Sequence, residues 1–153
     1  MDVNNWTIKK ILQMGAEMEL ESFTLYTKLA EKSDYPGAKR LLKKLADEEE
    51  RHRAYFLKGL ENPDYIEVRT LDENVSDLKI TDRLINIPLD PKADFPQILK
   101  FAAQREKAAY DFYIQVAEIF KGTAWSKIVH NFAKEELNHK KLLEEEYDEI
   151  TGW

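Results

Sequence analysis

The sequence predicts an all-α protein, a four-helix bundle made of two repeated helical hairpins joined by a long crossover. Two observations carry that prediction. The first is composition: of 153 residues only 5 are Gly and 5 Pro, while 43% are apolar and 34% charged, so helix formers dominate and breakers are rare. The second is a repeat. A glutamate followed thirty residues later by Glu-x-x-His occurs as Glu19 with Glu49 and His52, and again, at an offset of 87, as Glu106 with Glu136 and His139. A tyrosine stands seven residues past each leading glutamate, Tyr26 and Tyr113, followed by Ala30-Glu31 and Ala117-Glu118. The offset extends beyond these residues: Ile11, Leu12, Ala16, Ala46 and Glu48 recur as Ile98, Leu99, Ala103, Ala133 and Glu135. One hairpin used twice implies a pseudo-twofold axis through the bundle.

The first helix is expected over residues 7–32, where Ile8, Ile11, Leu12, Gly15, Ala16, Glu19, Phe23, Tyr26 and Ala30 fall on one stripe. Residues 33–37, Ser-Asp-Tyr-Pro-Gly, form a turn-rich link. The second helix spans 38–60, with Leu41, Leu42, Leu45, Ala46, Glu49, His52 and Phe56 inward, and Asn62-Pro63 closes it. The third starts after Asp94 as N-cap, with Pro96 in its first turn, and runs to about Phe120. Its inner stripe is Leu99, Ala102, Ala103, Glu106, Tyr110, Tyr113 and Ala117. Lys121-Gly122-Thr123 breaks it, and a fourth helix covers 124–147 with Ile128, Val129, Phe132, Glu136, His139 and Leu143 inward.

Residues 61–94 form a crossover within one domain that covers 1–153. A structureless loop of that length is unusual, so a short helix is expected around 72–79. If the second and third helices run parallel, the chain must return along the bundle, roughly 35 Å for a 23-residue helix. About a dozen extended residues suffice for that.

A net charge of -6 argues against nucleic-acid binding, because no basic stripe could neutralise phosphates. No apolar run is long enough to span a membrane. Residues 1–20 are amphipathic and lack the apolar region of a secretion signal, so the cytoplasm is the expected compartment. With 0 Cys there is no disulfide and no thiolate metal site. The sequon Asn74-Val75-Ser76 is accordingly read as incidental.

Height along the bundle decides whether the repeated residues can meet. Glu19 lies about 13 residues before its hairpin turn and Glu49 about 11 after it, roughly 20 and 17 Å of helix. Glu106 and Glu136 are again nearly level, about 14 and 12 residues from theirs. Residues three apart share a helix face, so Glu49 pairs with His52 and Glu136 with His139. Four carboxylates on an apolar stripe would repel one another and lose their hydration. Two divalent cations would neutralise them. Glu19, Glu49, His52, Glu106, Glu136 and His139 are therefore the candidate metal ligands. Oxygen-rich ligation with one imidazole per metal suits iron or manganese better than copper or structural zinc.

A single Glu-x-x-His in so acidic a chain would be better explained by surface ion pairs. Two copies in matched context favour metal. His130 lacks that context, aligns with Lys43 and is expected at the surface. Glu17, Glu21, Glu48, Glu50 and Glu135 flank the candidate ligands and are read mostly as solvated, with Glu21 as a register alternative to Glu19. Glu144-Glu145-Glu146 reads as a solvated helix end. Tyr26 and Tyr113 need hydroxyl partners if buried, and a ligand carboxylate two turns away or across the bundle is the expected one.

These residues resemble the rubrerythrin-like branch of the ferritin-like superfamily. The resemblance rests on residues 18–26, MELESFTLY, with 45–52, LADEEERH, and on their counterparts around Glu106 and Glu136. It implies a four-helix bundle with two iron ions per site and a tendency to form homodimers. By that analogy Glu19 and Glu106 are terminal ligands, Glu49 and Glu136 bridge, and each iron takes one histidine. Two departures stand out. Rubrerythrins proper append a cysteine-ligated rubredoxin domain, so this cysteine-free chain is expected to draw electrons from a separate donor protein. They also carry an additional glutamate three residues after the third-helix ligand, which takes part in an iron shift during peroxide reduction. Here that residue is Ala109. The remaining six-ligand set looks more like that of bacterioferritin.

The leading expectation is a di-iron oxidoreductase that reacts with peroxide or dioxygen. The alternative is an iron-binding, ferroxidase-type buffering protein without catalytic turnover. Cage storage is disfavoured because only about six residues follow the fourth helix. A helical interaction protein with a vestigial site conflicts with six intact ligands.

Overall fold

A computed structural model describes residues 8–61 and 92–152. The described residues form four helices and no strand: α1 (Ile8–Lys32), α2 (Pro36–Glu61), α3 (Phe95–Ile119) and α4 (Ala124–Thr151). The short helix expected at 72–79, the Asn62-Pro63 stop and the Asn74 sequon lie outside the described residues.

Local chemistry sets the helix ends. Asp94 caps α3 through a capping box: its carboxylate accepts from the Gln97 backbone N–H at 2.9 Å, and the Gln97 side chain accepts from the Asp94 N–H at 2.9 Å. Thr123 caps α4 by accepting from the Ser126 N–H at 3.2 Å, just after Gly122 takes φ 86 in the intervening turn. Two expected bounds move. The first link is only residues 33–35, because Pro36 opens α2 as its first residue, where a missing N–H costs nothing. α4 runs four residues past its expected end, to Thr151, and stops at Gly152 with φ 80.

Side-chain pairs fix the helix directions. Tyr26 meets Glu106 and Tyr113 meets Glu19, so numbers rise along α1 as they fall along α3. Glu48 meets His139 and His52 meets Glu135, so α2 and α4 are antiparallel as well. The hairpin pairs α1–α2 and α3–α4 pack most closely. α1 opposes both α2 and α3, so α2 and α3 run parallel, and the end of α2 and the start of α3 lie at opposite ends of the bundle.

The apolar core falls into two parts. One gathers Ile11, Leu12, Ala16, Phe56, Phe112, Val116, Trp125, Val129 and Phe132 at the α3–α4 turn end. The other gathers Leu29, Ala30, Leu42, Leu45, Leu99, Ala102 and Leu143 at the α1–α2 turn end. Between them lies a layer of buried polar groups. Among the described residues, no helix is long and apolar enough to cross a membrane.

Candidate metal centre

That polar layer consists of the six residues singled out by the repeat. Glu19, Glu49, His52, Glu106, Glu136 and His139 are each no more than 1% exposed. α1 and α3 contribute one glutamate each; α2 and α4 contribute a glutamate and, one turn on, a histidine. Donor atoms of Glu19, Glu49, His52 and Glu136 all lie within 4.8 Å of one another, and so do those of Glu49, Glu106, Glu136 and His139. Glu49 and Glu136 belong to both groups. His52 Nδ1 is 2.9 Å from Glu136, 3.7 Å from Glu19 and 3.8 Å from Glu49. His139 Nδ1 is 3.0 Å from Glu49, 3.6 Å from Glu106 and 4.0 Å from Glu136.

The outward atoms of the cluster are all held. Tyr26 donates its hydroxyl to Glu106, and Tyr113 donates to Glu19, each across the bundle rather than along its own helix. His52 Nε2 pairs with Glu135, and His139 Nε2 pairs with Glu48. With a carboxylate on Nε2, that nitrogen carries a proton, and the inward-facing Nδ1 is the atom that can bind a metal once its own proton is displaced. The inward atoms lie within ion-pair distance of one another but make no hydrogen bond. Glu19 Oε2, both oxygens of Glu49 and Glu136, Glu106 Oε2 and the Nδ1 atoms of both histidines are buried without a hydrogen bond. Buried polar atoms are almost always satisfied, so this convergent set of orphans fits metal ions. The buried Glu/His groups could hold a metal, and the donor chemistry, carboxylate with imidazole, suits a redox-active or hard divalent ion.

Electrostatics gives the same answer. Burial, then repulsion from Glu106 and Glu19, pushes the Glu49 carboxyl well above the ordinary range. Burial and the charges of Glu106, Glu49 and Glu19 do the same to Glu136. Glu106 goes the other way: burial would raise it, but its closeness to Glu136, His139 and Tyr26 outweighs that and lowers it. Burial opposes charge on the imidazoles, yet Glu135 and Glu19 raise His52 to about 9, and Glu106 and Glu49 raise His139 to about 11. Without metal the cluster keeps its charge down by holding protons. A divalent ion would displace them.

Rings wall the layer off. Phe132 stacks on His52 with centroids 4.1 Å apart, and Phe56 stacks on Tyr113 at 5.8 Å. Phe56 in turn lies against Gly15, where an added Cβ would come within 2.8 Å of its ring.

Several surface expectations meet the structure differently. Glu48 and Glu135, read as solvated, are only partly exposed and clamp the two histidines. A signal for them was present, since both obey the 87-residue offset, one position before each shared glutamate. Glu21 is no alternative to Glu19: its side chain is 61% exposed and pairs with Arg105 at 3.2 Å. Glu17 and His130 are exposed, as expected, and Glu50 pairs with Arg53 at 3.0 Å on the surface. Tyr110, expected on the inner stripe, is only half-buried at the edge of the core. Ala109 is 3% exposed, packed in the apolar core.

A helical bundle with duplicated Glu and Glu-x-x-His in a buried layer defines a carboxylate-and-histidine metal-binding bundle of ferritin-like type. The model of one family, Rubrerythrin, matches residues 10–147, and the chain belongs to that family, a ferritin-like di-iron family. Comparison with curated proteins and with solved structures gave no match.

Proposed function

We propose that this chain is a di-iron oxidoreductase that reacts with peroxide or dioxygen and is re-reduced by a separate electron-donor protein, working as a homodimer. Glu19 and His52 would serve one iron, Glu106 and His139 the other, and Glu49 and Glu136 both. The observation that carries this reading is that Glu49 and Glu136 belong to both donor groups. When bound, the iron pair supplies the electrons that reduce the oxidant. The protein's own part is preparation. Tyr26 and Tyr113 hold Glu106 and Glu19 in place. Glu135 and Glu48 keep the histidine protons on Nε2 and the Nδ1 atoms inward. Phe132, Phe56 and the tyrosine rings exclude bulk water from the layer. Rigid support of this kind keeps the donor set unchanged while charge changes at its centre.

Anaerobic metal analysis of protein loaded with ferrous ion, followed by stopped-flow mixing with peroxide and with dioxygen, tests this reading. Two irons per chain, and repeated turnover when a reductant is present, are expected. Ala109 favours a second reading, iron buffering of the ferroxidase type, because a buried methyl stands where the peroxide-reducing relatives carry a further glutamate. In that case one round of oxidation occurs and added reductant brings no turnover.

A further inference from the structure

The hydrogen bonds that support the layer are symmetric except at one place. Each tyrosine–glutamate bond and each histidine–glutamate pair has its counterpart 87 residues on. Arg51 has none: its Nη2 lies 2.7 Å from both carboxylate oxygens of Glu135, the residue that clamps His52. The corresponding position in the second repeat is Asn138, which is exposed. Glu48, the clamp on His139, pairs with no lysine or arginine in the ion pairs of the described residues.

We propose that Arg51 makes the two halves of the centre unequal, so that the half with Glu106 and His139 takes a divalent cation before the half with Glu19 and His52. Two effects act in the same direction. A carboxylate accepting the Nε2–H pushes electron density into the imidazole and strengthens Nδ1 as a donor. The guanidinium hydrogen-bonded to Glu135 draws off part of that density, whereas it acts on Glu48 through charge alone, so His139 keeps more of its clamp's density. The positive charge of Arg51 also repels a cation held on its own side of the layer. Arg51 is half exposed, with its side chain at 48%, so salt screens the effect.

This inference rests on the six-ligand reading above and is tested by calorimetric titration of metal-free protein with manganous ion at low ionic strength. The wild type should show two binding steps separated by about tenfold, the lower end of what outer partners of ligands control. Arg51→Asn should tighten the weaker step until the two merge, and Asn138→Arg should weaken the tighter one. Raised salt should narrow the wild-type separation. A gain of affinity cannot come from a damaged fold, which separates Arg51→Asn from a merely structural effect. If Arg51→Asn weakens binding, Arg51 only steadies Glu135 and the proposal fails. Two equal steps in the wild type, or an unchanged separation in the variant, also overturn it while leaving the six-ligand reading intact. If the wild type binds no ion, both readings fall together.

Discussion

The hydroxyl of Tyr26 on α1 is bonded to Glu106 on α3, a carboxylate that belongs to the other half of the repeat. Tyr113 returns the same bond to Glu19. Each half of the centre is thus braced by the hairpin that does not own it, and the bundle cannot loosen along the α1–α3 seam without freeing Glu19 and Glu106.

Removing either hydroxyl leaves a buried carboxylate oxygen without its donor. Tyr26→Phe and Tyr113→Phe should each destabilise the metal-free protein by about 1–3 kcal/mol in urea unfolding. Metal should bind more weakly in the half whose glutamate lost its brace. Wild-type stability in both variants would mean that the hydroxyls are solvated.

The shared carboxylates should be more costly to lose than the unshared ones. Glu49→Ala and Glu136→Ala should impair uptake of both ions, whereas Glu19→Ala and Glu106→Ala should each retain one. Metal analysis after anaerobic dialysis against ferrous ion distinguishes the patterns. Two ions retained in Glu49→Ala would reject its place between the two donor groups.

Stability of the metal-free protein should fall as pH rises. His52 and His139 have folded values of about 9 and about 11, burial being outweighed by the facing carboxylates. A raised histidine stabilises fully below the ordinary value of about 6.5, and that contribution is lost as pH climbs through the folded value. Glu49 and Glu136, raised by burial and by the charges of Glu106 and Glu19, act with the same sign. The melting temperature of metal-free protein should therefore decline from pH 6.5 through 9, while that of metal-loaded protein stays level. A flat metal-free profile would show that the imidazoles do not face the carboxylates.

Gly15→Ala should be destabilising although it lies in a helix, where alanine is normally the better residue. Its Cβ would meet the Phe56 ring at 2.8 to 2.9 Å, and Phe56 is fully buried against Tyr113 and Trp125. The overpacking should cost about 1–3 kcal/mol in urea unfolding. A stabilised variant would mean that Phe56 has room to turn away.

Ala109→Glu should lower the melting temperature of metal-free protein, since a carboxylate enters apolar packing beside Phe112. Loading with ferrous ion should recover more stability than in the wild type, and oxidation by peroxide should quicken. Peroxide stopped-flow on both proteins decides it; equal rates would show that position 109 does not set the oxidant.

The four helices were legible because burial follows a period of 3.6 residues and because Asp94 and Gly122 carry local stop and start chemistry. The six residues of the polar layer were legible because they repeat. What the sequence hid is lateral. Met18, Ser22, Leu29, Phe112 and Val116 are buried but lie off the single stripe drawn for each helix. A helix in a bundle touches two neighbours, so its covered arc is wider than one stripe. Glu48 and Glu135 were misread for a related reason. A residue next to an inward glutamate is turned about 100° away and looks solvated, but here a histidine of the facing helix reaches it. The crossover, with Pro63, Pro88 and Pro91 and no sustained periodicity, offered nothing comparable.

The bonds between hairpins also act as a gauge of how the hairpins dock. The apolar faces of two similar amphipathic hairpins could slide past one another by a helical turn, about 5.4 Å, and still cover each other's leucines. In such a slipped arrangement no tyrosine would find a glutamate, no histidine would find its clamp, and four acidic groups would be left facing hydrocarbon. The charged layer thus penalises every register but one, so the same atoms that prepare the centre also tell the chain when it has folded correctly.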